Sequence, residues 1–366
     1  MRQTCAALAG KKSNDITDMS TPPVSSLCFV AGKSGGHIIP CLTLATRHKN
    51  KHPQSTIIFF STTRTLDASL VSKHASIDIH VSLPLGSRSY GGWCGFVRLC
   101  ADFIRSVWCS FWVLYRTRPT RLISTGGVLM LAPAWCAWLL NIPVELYELN
   151  AVPGAAIKFF APFATQVTVC FKKSADYFAP RACTYAAYPV RFERNGQQKA
   201  ELNKQISSKK TVCILGGSQG SHVINHIIAH WAQSRPSLGD AVRIIHQTGS
   251  AEQSALLRKI YETHQIEHHV FTFDNSLEEQ YQQADLIICR AGAGTLFEIL
   301  FFEKPCITIP LETAYTNHQL DNATACAQEY PDLVTVVREQ AIRDNQELLF
   351  CMIEKRLGVS TARVGE

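Results

Sequence analysis

The chain has 366 residues, of which 46% are hydrophobic and 18% charged, a composition that excludes an extended disordered protein and allows two ordinary domains. Its net charge of +7 is unevenly divided, because residues 1–200 carry 22 Lys and Arg against 9 Asp and Glu, whereas residues 201–366 carry 14 against 20. A basic first half is typical of proteins that bind nucleic acid, an anionic membrane surface or an anionic substrate.

Strand-like apolar runs alternate with helical segments along the chain, which predicts an α/β protein with parallel sheets. The runs in the first half are Leu27–Ala31, Thr56–Phe60, Ile77–Val81, Arg121–Ser124, Val144–Glu148 and Val167–Cys170. Those in the second half are Val212–Leu215, Arg243–Gln247, Val270–Phe273, Leu286–Cys289, Pro305–Ile309 and Leu333–Val336. We expect a disordered extension over residues 1–25 and domains over 26–192 and 193–344, divided by a polar linker over 191–210, with an amphipathic helix and tail over 345–366.

Two segments repeat one pattern, an apolar run that breaks into a glycine-rich turn and a helix. The first is Ser26–His37 and the second is Thr211–Ser221. A glycine turn that opens a helix exposes backbone N–H groups and the positive end of the helix dipole, which suits a phosphate. Two such turns, one domain length apart, predict two nucleotide-fold domains that face each other across a cleft.

The segment between Arg88 and Arg121 is rich in aromatic residues and arginine. Its aromatic residues are Trp93, Phe96, Phe103, Trp108, Phe111 and Trp112, and its arginines are Arg98, Arg105, Arg116 and Arg118. One interpretation is a helix that packs its aromatic residues inward; the other is a segment that lies in a membrane interface. Asp102 and Arg105 interrupt it too early for a transmembrane helix, and the apolar stretch Val128–Leu140 is also too short.

The fourteen cysteines show no C-x-x-C pair and no metal-ligand spacing, which indicates reduced, structural cysteines in a cytoplasmic protein. His264, His268 and His269 lie in the polar approach to a strand and are interpreted as solvated, so no metal site is predicted. The N-terminal segment lacks the apolar stretch of a secretory signal, and Met19 is an alternative start.

A third glycine turn follows the strand Leu286–Cys289 and runs from Arg290 into a helix. Its small residues let a ligand approach the backbone, and Glu298, about one turn after Gly294, is placed to accept hydrogen bonds from ribose hydroxyls. The plainer alternative is an ordinary strand–helix turn with a surface glutamate. Downstream, amide and imidazole groups in Asn317–Ala323 suit sugar hydroxyls.

Together these segments resemble the MurG family, bacterial glycosyltransferases that add N-acetylglucosamine to lipid I to form lipid II in peptidoglycan synthesis. The resemblance covers nearly the whole chain from about residue 26. The family's motifs G-G-T-G-G-H, H-E-Q-N, G-N-P-V-R, G-G-S-Q-G-A, R-[SA]-G-A-x-T-x-x-E and [DN]-H-Q-x-x-N-A correspond to residues 31–37, 147–150, 187–191, 216–221, 290–298 and 317–323. The last two are complete.

Four of the residues that depart from these motifs bear on the expected ligand sites. Tyr147 and Leu149 replace the family's His and Gln, Tyr188 replaces the Asn before Pro189, and Lys33 enters the first loop. We expect these changes to alter the acceptor side and to leave the donor site intact.

The resemblance implies a GT-B fold, two Rossmann-like domains with the active site between them, and UDP-N-acetylglucosamine as the donor. It implies an acceptor diphosphate loop at Ser34, Gly35 and Gly36. The residues expected to contact the donor are Ser34, Gly35, Gly36, Asn150, Arg191, Ser218, Asp274, Ala293, Gly294, Thr295, Glu298, His318 and Gln319.

The resemblance further implies an inverting transfer in which His37 is the general base and Asn150 orients the acceptor or the base. The alternative for His37 is that it only hydrogen-bonds the acceptor diphosphate or caps its helix. No D-x-D sequence occurs, which agrees with metal-independent chemistry, and no cofactor is expected.

The expected partners are UDP-N-acetylglucosamine, undecaprenyl-linked lipid I, an anionic membrane surface and a cell-wall synthesis complex, with no nucleic acid. The expected location is peripheral, on the cytoplasmic face of the inner membrane. Three alternatives stay open: a UDP-N-acetylglucosamine epimerase, a transferase for another lipid such as diacylglycerol or a sterol, and a non-catalytic sugar-nucleotide-binding subunit.

Overall fold

The computed structural model describes residues 25–32, 35–86, 91–193, 209–217, 219–274, 276–312 and 318–360. The expected N-terminal extension before residue 25, most of the expected linker, and Lys33, Ser34, Ser218 and Asn317 lie outside these ranges.

Two parallel sheets carry the described part of the chain. The strands of the first sheet are β1 Ser26–Val30, β2 Thr56–Thr62, β3 Ile79–Leu83, β4 Arg121–Ser124, β5 Val144–Glu148, β6 Gln166–Val169 and β7 Thr184–Tyr185, in the order β3-β2-β1-β4-β5-β6-β7. Those of the second are β8 Lys210–Leu215, β9 Val242–Gln247, β10 Glu267–Phe271, β11 Leu286–Cys289, β12 Cys306–Thr308 and β13 Val334–Val336, in the order β10-β9-β8-β11-β12-β13.

Helices cover both faces of each sheet. Those of the first half are α1 Gly35–Lys51, α2 Thr65–Ser72, α3 Gly92–Thr117, α4 Leu131–Leu139 and α5 Ala155–Phe160, with 3₁₀ turns at Val128–Met130, Ala161–Phe163 and Lys172–Phe178. Those of the second are α6 His222–Ser234, α7 Leu238–Ala241, α8 Ala251–Thr263, α9 Glu278–Gln283, α10 Ala293–Phe301, α11 His318–Glu329, α12 Glu339–Asp344 and α13 Gln346–Leu357. Because both faces are covered, the central strands read as continuous apolar runs rather than alternating ones.

The strand order places the ligand-binding edge of each sheet. The order reverses between β1 and β4 in the first sheet and between β8 and β11 in the second. In open α/β sheets, ligands bind beyond the carboxyl ends of the strands at such a reversal. The turns that begin at Gly32 and Gly216 follow β1 and β8, and both therefore open at the reversal.

The structure corrects two parts of the strand prediction. β10 begins at Glu267, so His268 and His269 lie within the strand and not in its approach; it is an edge strand, where polar side chains are tolerated. The two-residue strand β7, at the opposite edge of the first sheet, was missed.

The aromatic helix α3 has two different faces. Trp93, Phe96 and Trp108 are 78%, 56% and 68% exposed, and Trp112 is 40% exposed. Phe103 and Phe111 instead pack, partly buried, against the core of the first sheet, so these two follow the inward-packing interpretation and not the membrane-interface one. None of the helices in the described ranges combines the length and apolarity needed to cross a bilayer.

The two halves share one of the hydrophobic cores. The Phe171 ring lies 4.9 Å from that of Phe297 on α10, and the guanidinium of Arg47 on α1 donates to the Val190 carbonyl at 2.8 Å. The segment that leads out of the first sheet is therefore packed between α1 and α10.

Candidate active site

The imidazole of His37, in the first turn of α1, is fixed by the loop that follows β4. Its Nδ1 lies 2.8 Å from the carbonyl oxygen of Thr125, and the Thr125 hydroxyl donates to the His37 carbonyl at 2.9 Å. Because a carbonyl can only accept, Nδ1 carries the proton and the Nε2 lone pair is left to act as a base. Burial lowers the pKa of His37; the Thr125 carbonyl opposes that shift, and the charge of His318 adds to it.

Glycine in the loop after β4 permits this arrangement. Gly126 has a φ of 103°, and a Cβ there would lie 3.1 Å from Ile157 and 3.7 Å from the His37 ring. Gly127 follows with a φ of 83°. The sequence analysis missed this turn, although Thr125-Gly126-Gly127 directly after a strand is the same signal that identified the other turns.

The turn after β8 packs backbone against backbone. Gly217 and Gly220 have φ values of 88° and 73°. A Cβ on Gly220 would overlap the Thr248 carbonyl, and one on Gly249 would overlap the Gln219 carbonyl. Only glycine allows the two loops to lie this close.

Arg290 joins the second glycine turn to the third. It is 8% exposed, and its guanidinium donates to the Ser221 hydroxyl at 2.8 Å, to the Ile309 carbonyl at 3.2 Å and to Glu339 at 2.9 Å. Ser221 in turn caps α6, since its hydroxyl accepts from the Ile224 N–H at 3.3 Å. These hydrogen bonds of Arg290 connect the turn after β8 to the ends of β11 and β12.

Glu298 of α10 has a partner at each carboxylate oxygen. The Arg191 guanidinium forms an ion pair with Oε1 at 2.9 Å, and the Tyr281 hydroxyl donates to Oε2 at 2.8 Å. Burial raises the pKa of Glu298, and Arg191 and Tyr281 oppose the shift. Tyr281 is itself buried and stacks on Phe302, so it holds the carboxylate in one orientation. Sequence reasoning did not find Tyr281, which lies outside every motif.

The first turn of α11 carries His318 and Gln319. Gln319 accepts from the Leu311 N–H at 2.9 Å through Oε1, which directs its NH₂ group elsewhere as a donor. Burial lowers the pKa of His318, and Asp321 opposes this shift. One turn later the fully buried Asn322 accepts from the Ala151 N–H at 2.8 Å and donates to the Asn150 side chain at 3.2 Å.

Asn150 lies in a polar network at the junction of the halves. Glu148 is buried, and its Oε1 accepts from the Asn150 N–H at 2.8 Å and from the Asn150 side chain at 3.2 Å. Its Oε2 accepts from the Gly154 N–H at 3.0 Å. Burial raises the pKa of Glu148 to about 7, against the lowering effect of these hydrogen bonds. The side chain of Asn150 therefore contacts Glu148 and Asn322 in this structure.

The remaining expected residues lie at loops and helix starts. Gly35 and Gly36 begin α1, and Ala293, Gly294 and Thr295 form the first turn of α10. The Asp274 carboxylate accepts from the Ser276 N–H at 2.9 Å in the loop after β10.

Comparison with known families decides the class of the protein. The N-terminal domain model of glycosyltransferase family 28 matches residues 27–169, and the C-terminal domain model matches residues 211–348. The chain belongs to glycosyltransferase family 28.

Two relatives that match most of the chain carry the same name. A protein of Anaeromyxobacter dehalogenans (strain 2CP-C) is 28% identical over 87% of this chain and 84% of its own length, and one of Trichlorobacter lovleyi is 28% identical over 90% of each. Both are named UDP-N-acetylglucosamine--N-acetylmuramyl-(pentapeptide) pyrophosphoryl-undecaprenol N-acetylglucosamine transferase.

Solved structures show the same fold. MurG of Acinetobacter baumannii superposes with a TM-score of 0.68 at 20% identity, covering 91% of this chain and 92% of its own. A UDP complex of S. aureus MnaA gives 0.56 at 12% identity, covering 91% and 89%. The fold is GT-B, as the resemblance to the MurG family implies, and the protein is a glycosyltransferase.

Two of the residues that depart from the MurG motifs, Leu149 and Tyr188, do not lie on the acceptor side where they were expected. Leu149 is buried in the core that the two halves share, so it does not line the acceptor wall. Tyr188 lies against the first turn of α10: a Cβ on Gly294 would be 3.2 Å from its hydroxyl. Tyr188 is thus next to one of the residues expected to contact the donor.

Proposed function

We propose that the protein transfers N-acetylglucosamine from UDP-N-acetylglucosamine to the 4-hydroxyl of the N-acetylmuramoyl unit of lipid I, forming lipid II. The observation that carries the proposal is His37, whose Nδ1 is bound to the Thr125 carbonyl and whose ring lies close enough to His318 for the charge of one to lower the pKa of the other. A base with a free Nε2 in the first half thus lies within electrostatic range of His318, at the start of the candidate sugar-binding helix of the second half. The names of the full-length relatives support the same reaction.

The proposed reaction is a single displacement. Nε2 of His37 takes the proton of the acceptor 4-hydroxyl as that oxygen forms a bond to the anomeric carbon of the donor. The bond from this carbon to the UDP oxygen breaks with its electron pair, so UDP leaves as an anion and the anomeric centre inverts. Backbone N–H groups at the N-terminus of α10 and in the turn from Gly216 to Gly220 stabilise the departing diphosphate.

Donor recognition follows the charges and hydrogen-bonding groups of the second half. Glu298, held by Tyr281 and Arg191, accepts from the ribose hydroxyls, and Ser218 with Ala293, Gly294 and Thr295 binds the diphosphate. His318 and Gln319 bind the sugar hydroxyls, and Asp274 lies at the uracil end. On the first half, Ser34, Gly35 and Gly36 bind the acceptor diphosphate. Asn150, through its bond to Asn322, orients the acceptor-side loop.

The exposed face of α3 is proposed to hold the enzyme on an anionic membrane, where its lipid acceptor lies. Trp93, Phe96 and Trp108 present apolar area to solvent, and the exposed Arg98 and Arg105 flank them. Aromatic and basic side chains on one helix are suited to the interface between lipid tails and anionic headgroups.

Transfer of labelled sugar tests the reaction. The purified protein is incubated with radiolabelled UDP-N-acetylglucosamine and a lipid I analogue, with a chelator in place of divalent metal, and label is expected in the lipid fraction. If the protein binds the donor but transfers no sugar, the proposal that lipid I is the acceptor is refuted. A parallel incubation without acceptor tests the epimerase alternative, since an epimerase converts the donor by itself.

Sedimentation with vesicles tests the membrane contact. The protein is expected to bind vesicles containing anionic lipid more strongly than neutral ones, and Trp108→Ser with Phe96→Ser is expected to reduce the bound fraction. Tyr330→Ser, an exposed aromatic residue on the other half, is the matched control. Equal binding of the α3 variant and the control would refute the surface assignment.

A further inference from the structure

The ring of Tyr188 is fixed where the two halves meet. It stacks on Phe297 of α10, with ring centroids 4.8 Å apart and planes 14° from parallel, and it is only 6% exposed. The carbonyl of Tyr188 accepts from the Val190 N–H at 2.8 Å, so the backbone is held as well. The orientation of the phenol is therefore set before any ligand binds.

The hydroxyl of this fixed ring points at the first turn of α10. It lies 3.2 Å from where a Cβ of Gly294, the second residue of the helix, would be. No other residue in the described ranges makes a hydrogen bond with it. The hydroxyl is therefore available to a ligand, and the N–H groups of the first helical turn likewise have no partner within the helix.

We propose that the Tyr188 hydroxyl donates a hydrogen bond to a phosphate oxygen of the nucleotide diphosphate bound at the N-terminus of α10. This inference rests on the proposed function, which places the diphosphate at this turn. An anion there accepts from both the helix N–H groups and the phenol, so the structure holds two sets of donors for one acceptor. Burial raises the pKa of Tyr188 well above its usual value, so the phenol keeps its proton as a donor.

The presence of tyrosine at position 188 distinguishes this chain from the MurG motif. The MurG motif, as the sequence analysis gives it, has asparagine before the proline, and this chain has a longer aromatic side chain whose hydroxyl reaches Gly294. Tyr188 is thus assigned as a donor-binding residue, and not as a determinant of the acceptor.

Calorimetric titration of Tyr188→Phe with UDP and with uridine tests the assignment. The variant keeps the stack on Phe297 and loses only the hydroxyl. A hydrogen bond to a charged phosphate predicts roughly tenfold weaker UDP binding, with uridine binding unchanged because uridine has no phosphate. Unchanged UDP binding, or an equal loss for uridine, would overturn the proposal.

Tyr281→Phe is the matched control, since it removes a phenol that holds Glu298 and so acts at the ribose. It is expected to weaken UDP and uridine binding by a similar factor. Thermal unfolding of both variants within a few degrees of the wild type confirms that the fold is kept; if Tyr188→Phe does not fold, Tyr188→Leu with the same two ligands replaces it. Neither titration contains an acceptor, so failure of sugar transfer and failure of this inference are separate results.

Discussion

The two glycine turns that follow β1 and β8 have the same local pattern and different surroundings. The turn after β1 packs Gly32 against side chains, where a Cβ would lie 2.6 Å from Thr62 and 3.0 Å from Leu129. The turn after β8 packs Gly220 against the backbone of another loop, and the buried Arg290 contacts its last residue, Ser221. The first turn leads into the helix that presents His37, and the second leads into a capped helix start.

This difference separates the roles of the two halves. A rigid arrangement of backbone N–H groups suits an anion whose position must not change, such as a diphosphate leaving group. An imidazole held by one carbonyl, with its other nitrogen unprotonated, suits proton transfer. In the proposed function, one strand–turn–helix pattern serves binding in the second half and acid–base chemistry in the first.

The largest expected effect is that of removing the base. His37→Ala is expected to lower kcat by about 10²- to 10⁴-fold, the range for loss of a general base, while the Kd for UDP stays within about twofold. Steady-state transfer and calorimetry measure the two quantities. His318→Ala is the matched control on the donor side and is expected to act mainly on the KM for UDP-N-acetylglucosamine. If His37→Ala weakens UDP binding by as large a factor as it lowers kcat, both turns bind the nucleotide.

Removing Arg290 tests the rigidity of the second turn. Arg290→Met leaves Glu339 and two loop carbonyls without their buried cation, and we expect the free energy of unfolding to fall by about 3–5 kcal/mol. Denaturant unfolding measures it. Arg343→Met removes the other partner of Glu339, which is exposed, and is expected to cost less than about 1 kcal/mol. Equal costs would mean that Arg290 is not what holds the turn.

The sequence predicts the sheets and the glycine turns because strand, turn and helix are each encoded locally. It placed Ile288 in a strand and Glu298 one turn into a helix, and the structure agrees. Contacts between residues that are distant in the sequence could not be predicted. His37 and Thr125 are 88 positions apart, and Asn150 and Asn322 are 172 positions apart. The proximity of Tyr188 to Gly294 could not be predicted for the same reason, since Gly294 comes from the other half.

The lowered pKa of His37 allows its assignment as the general base to be tested by the pH dependence of the rate. Its pKa is lowered from 6.5, and the neutral form is active, so the rate is expected to be constant between pH 7 and 8. Below pH 6.5 the rate falls as the pH drops through the folded pKa, approaching tenfold per pH unit. The pH profile of kcat/KM measures this. An acid limb that begins above pH 6.5, or one that persists unchanged in His37→Ala, would assign the proton to another group.

The smallest expected effect concerns the joint between the halves. Asn322→Ala leaves the Ala151 N–H and the side-chain oxygen of Asn150 without their partner in a buried network, at a cost of about 1–3 kcal/mol in the free energy of unfolding. Asp321→Ala, which loses a half-exposed pair with Lys173 at 3.6 Å, is the control and is expected to cost less than about 1 kcal/mol. Because α11 carries His318 one turn before Asn322, loosening this joint is also expected to raise the KM for the donor sugar while the Kd for UDP is unchanged. If the two variants are equally stable and bind alike, the buried amide pair does not align the base with the donor.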